Sequence, residues 1–182
     1  NYRTSQRLKS INSLIKGLSK LKKEIENQRQ SYFSTLLSDI KILFYIYSGR
    51  IMQTCYFGRG LFIKPDAKCK HIIFTSGTSE GNDVDALFNM SSGQLVTLVI
   101  SLLLSLNKLY GKTSILAIDD LIQTIDDINL WGLIETLRHD FDDHFLLLST
   151  HERDYRDLLA YKLDKWGINT KIVDMSEVES IR

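Results

Sequence analysis

The sequence contains only two cysteines among its 182 residues and has no apolar segment at its N-terminus. Cys55 and Cys69 have neither the spacing of a zinc site nor the density of a disulfide scaffold, so we expect two reduced thiols. The N-terminus is polar and basic, and the apolar stretch of a signal peptide is missing. These absences favour a cytoplasmic protein with one globular domain and an ordinary hydrophobic core.

A large charge of one sign is also missing, because the net charge is only +1. This balance argues against a strong general attraction to nucleic acid. The charge is nevertheless unevenly distributed along the chain. Residues 1–30 carry eight Lys or Arg and two Glu, an excess of +6, so residues 31–182 carry −5. We therefore expect a basic N-terminal arm attached to an acidic body.

One long helix is predicted over residues 4–46. Its apolar residues are separated alternately by three and four positions, which is the a/d spacing of a heptad repeat. Because this seam is narrower than the apolar face of a core-facing helix, we favour a coiled-coil helix over an amphipathic helix lying on its own domain. The helix should then enter the globular body and should end or kink at Ser48-Gly49. The seam comprises Ile11, Leu14, Leu18, Leu21 and Ile25, continued by the polar Gln28 and by Tyr32.

Strands and helices alternate in the rest of the chain. Residues 60–64 and 71–75 are predicted to pair as strands around the Pro65-Asp66 turn. The strands at 114–118 and 144–149 are nearly all apolar, as expected of parallel strands that are covered on both faces. The apolar run inside helix 92–109 is shorter than a bilayer requires, so we expect a buried central helix. The elements predicted after the hairpin are a helix at 92–109, a strand at 114–118, a helix at about 127–139, a strand at 144–149, a helix at about 152–166 and a strand at 170–174.

A polar turn, Ser91-Ser92-Gly93-Gln94, comes directly before the apolar helix. A helix N-terminus offers unpaired amides and the positive end of the helix dipole, so it attracts anions. Ser can add a hydroxyl donor, and Gly lets the backbone approach a ligand closely. The alternative is a plain N-cap, which Ser supplies in many helices. The Gln after Gly and the apolar helix that follows favour an anion site.

Acidic residues end the strand at 114–118, and a histidine follows the next apolar strand. Ligand sites in open α/β sheets gather at the carboxyl ends of strands. Asp119 and Asp120 could hold Mg²⁺ and orient or deprotonate an attacking water. A neutral His151 beside them could hydrogen-bond a phosphate or that water. The competing role for an acid here, capping the next helix, suits Asp126 and Asp127 better.

Gly111-Lys112-Thr113 resembles the end of a phosphate-binding loop, but its context is wrong. That loop needs another Gly five residues before Gly111, where Leu106 stands. The triplet also follows a helix and opens a strand, which is the reverse of a phosphate-binding loop. We therefore expect Gly111 to cap a helix C-terminus, and the sequence has no phosphate-binding loop of its own.

These segments, in this order, resemble the C-terminal lobe of SMC-like ABC ATPase heads, the group that includes RecN, the SMC proteins and coiled-coil break-repair ATPases. Residues 90–94 match the signature motif, and residues 115–120 match the Walker B pattern of four apolar residues and two acids. Ile125-Asp126 matches the D-loop, and Thr150-His151 matches the H-loop. The run after the acid pair is also similar to RecN-like ATPases of bacterial anti-phage systems such as the Lamassu type.

The resemblance implies an α/β fold, the C-terminal head lobe of a P-loop NTPase of the ABC type. It implies a mostly parallel sheet with flanking helices, preceded by a long coiled-coil helix. Residues 1–46 would be the returning coiled-coil helix, and residues 47–182 would be the lobe. In such proteins an N-terminal lobe carries the Walker A loop, so this chain, which begins at Asn1, would be part of a longer protein. ATP and Mg²⁺ would be the cofactors.

The resemblance also implies a function and partners. Two heads would dimerise, most simply as a homodimer, and would hydrolyse ATP between them to act on DNA in repair, chromosome maintenance or anti-phage defence. A nuclease or accessory subunit would be a further partner, no membrane would be involved, and the protein would be cytoplasmic or nucleoid-associated. Residue by residue, Asp119 would coordinate Mg²⁺, Asp120 would be the general base, His151 would contact the γ-phosphate, Ser91, Ser92, Gly93 and Gln94 would bind the partner head's nucleotide, and Asp126 would lie at the head interface.

Two departures from the family pattern keep other functions open. Asp120 replaces a Glu and is one methylene shorter, and Leu121 stands where Pro is common. The first alternative is therefore an ATP-gated structural or interaction module with little or no hydrolysis. A receiver-like phosphoacceptor domain ranks last, because no third Asp ends an intervening strand.

Overall fold

A computed structural model describes residues 2–53, 60–76, 85–119 and 125–175. Asp120, Cys55 and the polar segment 77–84 lie outside these described residues. The elements are, in chain order, α1 (Tyr2–Ile51), β1 (Leu61–Pro65), β2 (Ile72–Ser76), a short 3-10 helix (Ala86–Asn89), α2 (Ser92–Tyr110), β3 (Ile115–Ile118), α3 (Asp127–Asp140), β4 (Phe145–Leu148) and α4 (Arg153–Lys165).

The long N-terminal helix is confirmed, but it does not stop at Ser48-Gly49, because α1 continues to Ile51. The alternative, a kink at Ser48-Gly49, stays a prediction. Ser48 is 1% exposed and serves a tertiary contact instead. Its hydroxyl donates to the carbonyl of Tyr45 at 3.2 Å and accepts the amide of Leu61 at 2.9 Å. The serine therefore joins the helix to the start of β1 while the helix runs on.

Two different environments divide α1. The seam residues of its first half are exposed, with Leu14, Leu18 and Ile25 each 65–66% accessible. From Leu37 onward one face of the helix is buried, through Leu37, Ile40, Phe44, Tyr47 and Ile51, and Phe44 is fully inaccessible, whereas Ile42 on the other side is 64% exposed. One helix thus belongs to the domain at its C-terminal end and presents an uncovered apolar seam at its N-terminal end.

The core has two parts that meet along α1 and α2. One cluster joins Tyr47 of α1 to Leu104 of α2, Leu116 of β3 and Leu133 of α3. The other joins α1 and α2 to the hairpin, and its members include Phe44, Leu61, Phe74 and Leu98. Burial of these side chains is the main stabilising contribution to such a domain.

Three buried hydroxyls line the face of α2 that runs between these clusters. Thr97, Ser101 and Ser105 are each 0% exposed. Each donates to the carbonyl four residues earlier, at 2.9, 2.8 and 2.7 Å. Because these bonds are made within the helix, small polar residues are accommodated in the core without unsatisfied donors.

By length and composition, α2 could also cross a membrane, and it is the one helix of the described chain that passes this test. Its 19 residues exceed the apolar run that the sequence analysis considered. A helix in the core of a globular domain has the same length and composition. The prediction of a buried central helix holds only in part: 33% of the apolar window of α2 is buried, in the two core clusters, whereas Val99 is 60% exposed.

β1 and β2 form the predicted antiparallel hairpin, with Leu61 opposite Ser76 and Pro65 opposite Ile72. The Asp66 carboxylate stabilises the turn by accepting the amides of Lys70 and His71 at 2.6 and 3.0 Å. These hydrogen bonds from backbone amides, above all the one from His71, hold the pKa of Asp66 below its usual value.

The hairpin turn lies against α1. Arg29 donates to the carbonyl of Cys69 at 3.0 Å, and Gln30 donates to the carbonyl of Lys68 at 3.3 Å. The Ser34 hydroxyl and the Cys69 thiol lie 3.6 Å apart. These contacts mark the position along α1 at which the exposed arm meets the domain.

β3 and β4 form a parallel pair in register from Ile115 and Phe145 to Ile118 and Leu148. Among the described residues this pair is the parallel part of the structure. The larger, mostly parallel sheet of the implied head lobe stays a prediction. The strand predicted at 170–174 is wrong. Its Thr170 binds the Asp164 carboxylate through its amide and hydroxyl, which ties this segment to the end of α4.

Candidate functional site

The carboxyl ends of β3 and β4 lie side by side because the two strands are parallel and in register. The ladder continues one step further, since the amide of Ser149 donates to the carbonyl of Ile118 at 3.1 Å. Asp119 and Ser149 therefore occupy the same level at this edge. The sequence predicted that β3 would deliver an acid here and that β4 would deliver His151 close by.

Asp119 and Ser149 are joined by their side chains. The Ser149 hydroxyl donates to Oδ1 of Asp119. Both residues are exposed, so the carboxylate faces solvent at the edge of the sheet. A carboxylate with a fixed direction and an open side is suited to hold a hard cation such as Mg²⁺.

His151 lies three residues beyond β4 and is exposed. Between them, the Thr150 hydroxyl accepts the amide of Glu152 at 3.1 Å, which turns the chain toward α4. His151 is thereby placed in the connection that leaves the carboxyl edge. Asp120, the predicted general base, lies outside the described residues, so its position relative to His151 stays a prediction.

The Ser91 turn forms a reciprocal capping box at the start of α2. The Ser91 hydroxyl accepts the amide of Gln94 at 3.3 Å, and the Gln94 side chain accepts the amide of Ser91 at 2.9 Å. This box by itself accounts for Ser and Gln at these two positions. The amides of Ser92 and Gly93 have no acceptor within the helix, because they belong to its first turn. The capping role is observed, and the anion-binding role stays a prediction.

Asp126 has the capping role at α3 that the sequence suggested for it. Its carboxylate accepts the backbone amide of Asn129 at 2.8 Å and the side-chain amide of Asn129 at 3.1 Å. Asn129 is 0% exposed, and its Oδ1 has no hydrogen-bond partner in the described structure. The D-loop role of Asp126 at a head interface stays a prediction beside this structural role.

Asp127 connects α3 to α4 through Tyr155, whose hydroxyl donates to its carboxylate at 2.9 Å. This hydrogen bond raises the pKa of Tyr155, because ionisation would place a phenolate beside a carboxylate. The contact anchors the start of α4, and therefore the segment that carries His151, against the start of α3.

The described residues at this edge suit a magnesium ion that is held together with a nucleotide. Among the described residues, no cluster of three or more His, Cys, Asp or Glu could hold a metal ion by itself. Mg²⁺ in nucleotide sites is commonly held by one or two carboxylates, by waters and by phosphate oxygens. In such a site Asp119 would supply one ligand, and the remaining donors would come from ATP and water.

The Gly111-Lys112-Thr113 segment behaves as predicted for a helix end. Gly111 caps α2, and its amide donates to the carbonyl of Asn107 at 2.7 Å. A Cβ at this position would lie 2.4 Å from the same carbonyl oxygen, so only Gly fits. The segment therefore closes a helix and does not open one around a phosphate.

The sequence analysis missed Ser149, although a signal was present. A hydroxyl residue at the end of β4 lies two positions before His151, and the parallel register places it beside Asp119. The sequence also gave no sign of two cation–π contacts between α3 and the end of α4: Lys162 of α4 lies 3.6 Å from the ring centroid of Trp131, and Arg138 of α3 lies 4.4 Å from that of Trp166. Such pairs join distant positions and leave no local pattern in the sequence.

Comparison with known proteins matches no family model and no curated protein.

Proposed function

We propose that this chain is the C-terminal half of an SMC-like ATPase head, which binds and hydrolyses ATP between two dimerised heads to act on DNA. An N-terminal lobe supplies the Walker A loop, and ATP and Mg²⁺ are the cofactors. Asp119 binds Mg²⁺, Asp120 is the general base, and His151 contacts the γ-phosphate. Ser91 and Gly93 contact the nucleotide held by the second head.

One observation carries this proposal: two parallel strands present Asp119 and the segment leading to His151 at the same edge. A metal-binding acid and a phosphate-binding imidazole must both reach one nucleotide. Neighbouring parallel strands bring them together because their carboxyl ends lie at the same edge of the sheet. The order of the Ser91 turn, the Asp119 strand and the His151 strand along the chain supports the same interpretation.

The exposed apolar face of β3 and β4 indicates that a further layer of protein covers these strands. Ile115, Phe145 and Leu147 are 55%, 67% and 59% exposed, although parallel strands are normally covered on both faces. Exposed contiguous apolar surface of this kind marks an interaction site. An N-terminal lobe that extends the sheet and adds a helix to this face accounts for the exposure.

The exposed N-terminal half of α1 is suited to pack against a second helix. The exposed seam of α1, from Ile11 to Ile25, has the a/d spacing that packs into a second helix. A helix that leads out from the N-terminal lobe would cover it. The basic residues on the arm then lie at the base of the coiled coil, where they can contact DNA phosphates.

Steady-state ATP hydrolysis by the native protein tests this function. Asp119→Asn should reduce kcat by about a hundredfold or more, because a bound metal contributes several kcal/mol to transition-state stabilisation and each 1.36 kcal/mol is tenfold. The matched control is Asp142→Asn, an exposed acid in the turn at the opposite end of β4, which should leave kcat unchanged. Native protein that neither binds nor hydrolyses ATP would refute the proposal.

An ATP-gated clamp with little turnover is the second candidate function, and Asp120 favours it. The shorter side chain changes the reach of the proposed base toward water. Asp120→Glu should then raise the hydrolysis rate while leaving ATP-driven dimerisation unchanged. An unchanged or lower rate would contradict the idea that side-chain length limits turnover.

A further inference from the structure

The Ser149 hydroxyl is hydrogen-bonded to the Asp119 carboxylate at the candidate site. The two residues follow paired positions of the parallel ladder, Ile118 and Leu148, and the Ser149 amide extends that ladder to the carbonyl of Ile118. The serine backbone is therefore held at the level of Asp119. From that position its hydroxyl donates to Oδ1 of the carboxylate.

An exposed aspartate without such a contact would sample several side-chain rotamers, because no hydrogen bond would favour one of them over the others. The hydroxyl occupies one acceptor site of a carboxylate that has about four, so Oδ2 and the remainder of Oδ1 stay open to a cation. Ser149 thus restricts the orientation of Asp119 and leaves ligand capacity on the solvent side.

We propose that Ser149 is a positioning residue that aims Asp119 at the nucleotide-bound magnesium ion. The inference rests on the proposed function, because it requires Asp119 to be a metal ligand. Hydrogen-bond partners of metal ligands set ligand orientation, and their loss typically weakens metal affinity or activity by 10–100-fold. The Ser149 hydroxyl has this relation to Asp119.

A matched pair of substitutions separates the hydroxyl from the shape of the side chain. Ser149→Thr retains the hydroxyl, whereas Ser149→Val introduces a side chain of nearly the same shape as Thr but without a hydroxyl. Both residues are β-branched and suit the end of a strand, so neither should disturb β4. Thermal unfolding should give equal Tm values for the two variants, and Ser149→Ala replaces Ser149→Val if the latter fails to fold.

The measurement is Mn²⁺ binding to the native protein, followed by electron paramagnetic resonance in the presence of a non-hydrolysable ATP analogue. Ser149→Val should raise the Kd for Mn²⁺ by about tenfold, and Ser149→Thr should stay within about twofold of the unaltered protein. Binding of the analogue without metal should be the same in all three proteins, because the proposed role of Ser149 is to orient a metal ligand.

Two results overturn this inference while leaving the proposed function intact. In the first, Ser149→Val binds Mn²⁺ as tightly as the unaltered protein. In the second, the Thr and Val variants lose affinity equally, which makes shape and not the hydroxyl the cause. If the unaltered protein has no nucleotide-dependent Mn²⁺ site, the proposed function and the role of Ser149 both fail.

Discussion

Replacing Gly132 by Ala should destabilise the junction between α1 and α3. Gly132 is buried in α3, and a Cβ built on it would lie 2.3 Å from the carbonyl oxygen of Arg50 and 2.9 Å from the Cα of Ile51. Ordinary contact begins at 3.4 Å, so the two helices would have to separate by about 1 Å. Both obstructing atoms belong to the backbone of α1, and no side-chain rotation can relieve the clash.

Two opposing effects set the magnitude of this change. Ala is favoured over Gly in a helix interior by about 1 kcal/mol. Overpacking a well-packed contact costs about 1–3 kcal/mol, and a clash between two helix backbones belongs at the upper end of that range. The expected net loss in the free energy of unfolding is therefore about 1–2 kcal/mol.

Gly17 provides the matched control on the exposed arm. A Cβ at Gly17 meets nothing within 4 Å, so Gly17→Ala gains the helix preference without a clash. Urea unfolding should show a lower midpoint for Gly132→Ala and no loss for Gly17→Ala, and circular dichroism should show equal or greater helix content for the latter. A Gly132→Ala protein as stable as the original would contradict the described contact between α1 and α3.

Three further predictions concern nucleotide and DNA. Without a phosphate-binding loop, the isolated chain should bind ATP poorly, and a micromolar Kd by isothermal titration would refute this. In the native protein, Ser91→Arg should abolish ATP-driven dimerisation on gel filtration while sparing nucleotide binding, because in the proposed head Ser91 would contact the phosphate of the nucleotide held by the partner head. Exchanging four basic arm residues for Glu should weaken DNA binding equally for all DNA sequences and should reduce the dependence of affinity on salt concentration. Unchanged affinity and salt dependence would mean that these residues only form a solvated face of the coiled coil. The residues for that exchange come from Arg3, Arg7, Lys9, Lys16, Lys20, Lys22 and Lys23.

Helices were predictable where a local pattern specified them. The seam from Ile11 to Ile25 indicated the arm, and α2 and α3 begin next to the capping residues Ser91 and Asp126 that the sequence pointed to. Gly111 was recognised as a helix end from its position after a helix and before a strand. In each case the determining interactions join residues within a few positions of one another, so periodicity and capping rules suffice.

The errors arose where a distant contact overrode the local signal. Ser48-Gly49 looked like a helix stop, but the Ser48 hydroxyl binds the amide of Leu61, thirteen positions away, and α1 continues. The segment 170–174 has the composition of a strand, but Thr170 binds Asp164 and holds the segment near the end of α4. Short apolar runs specify a strand only when a neighbouring strand edge is within reach.

The β3–β4 pair shows a third relation between sequence and structure. Its strands are apolar on both faces, which predicted a sheet covered on both sides. Leu116 is 2% exposed against the core, whereas Phe145 and Leu147 on the opposite face are 67% and 59% exposed. The composition of these strands thus matches a larger assembly better than it matches the described chain. The pair is stabilised on one face by its helices, and a further layer on the exposed face, such as the proposed N-terminal lobe would provide, should add to that stability.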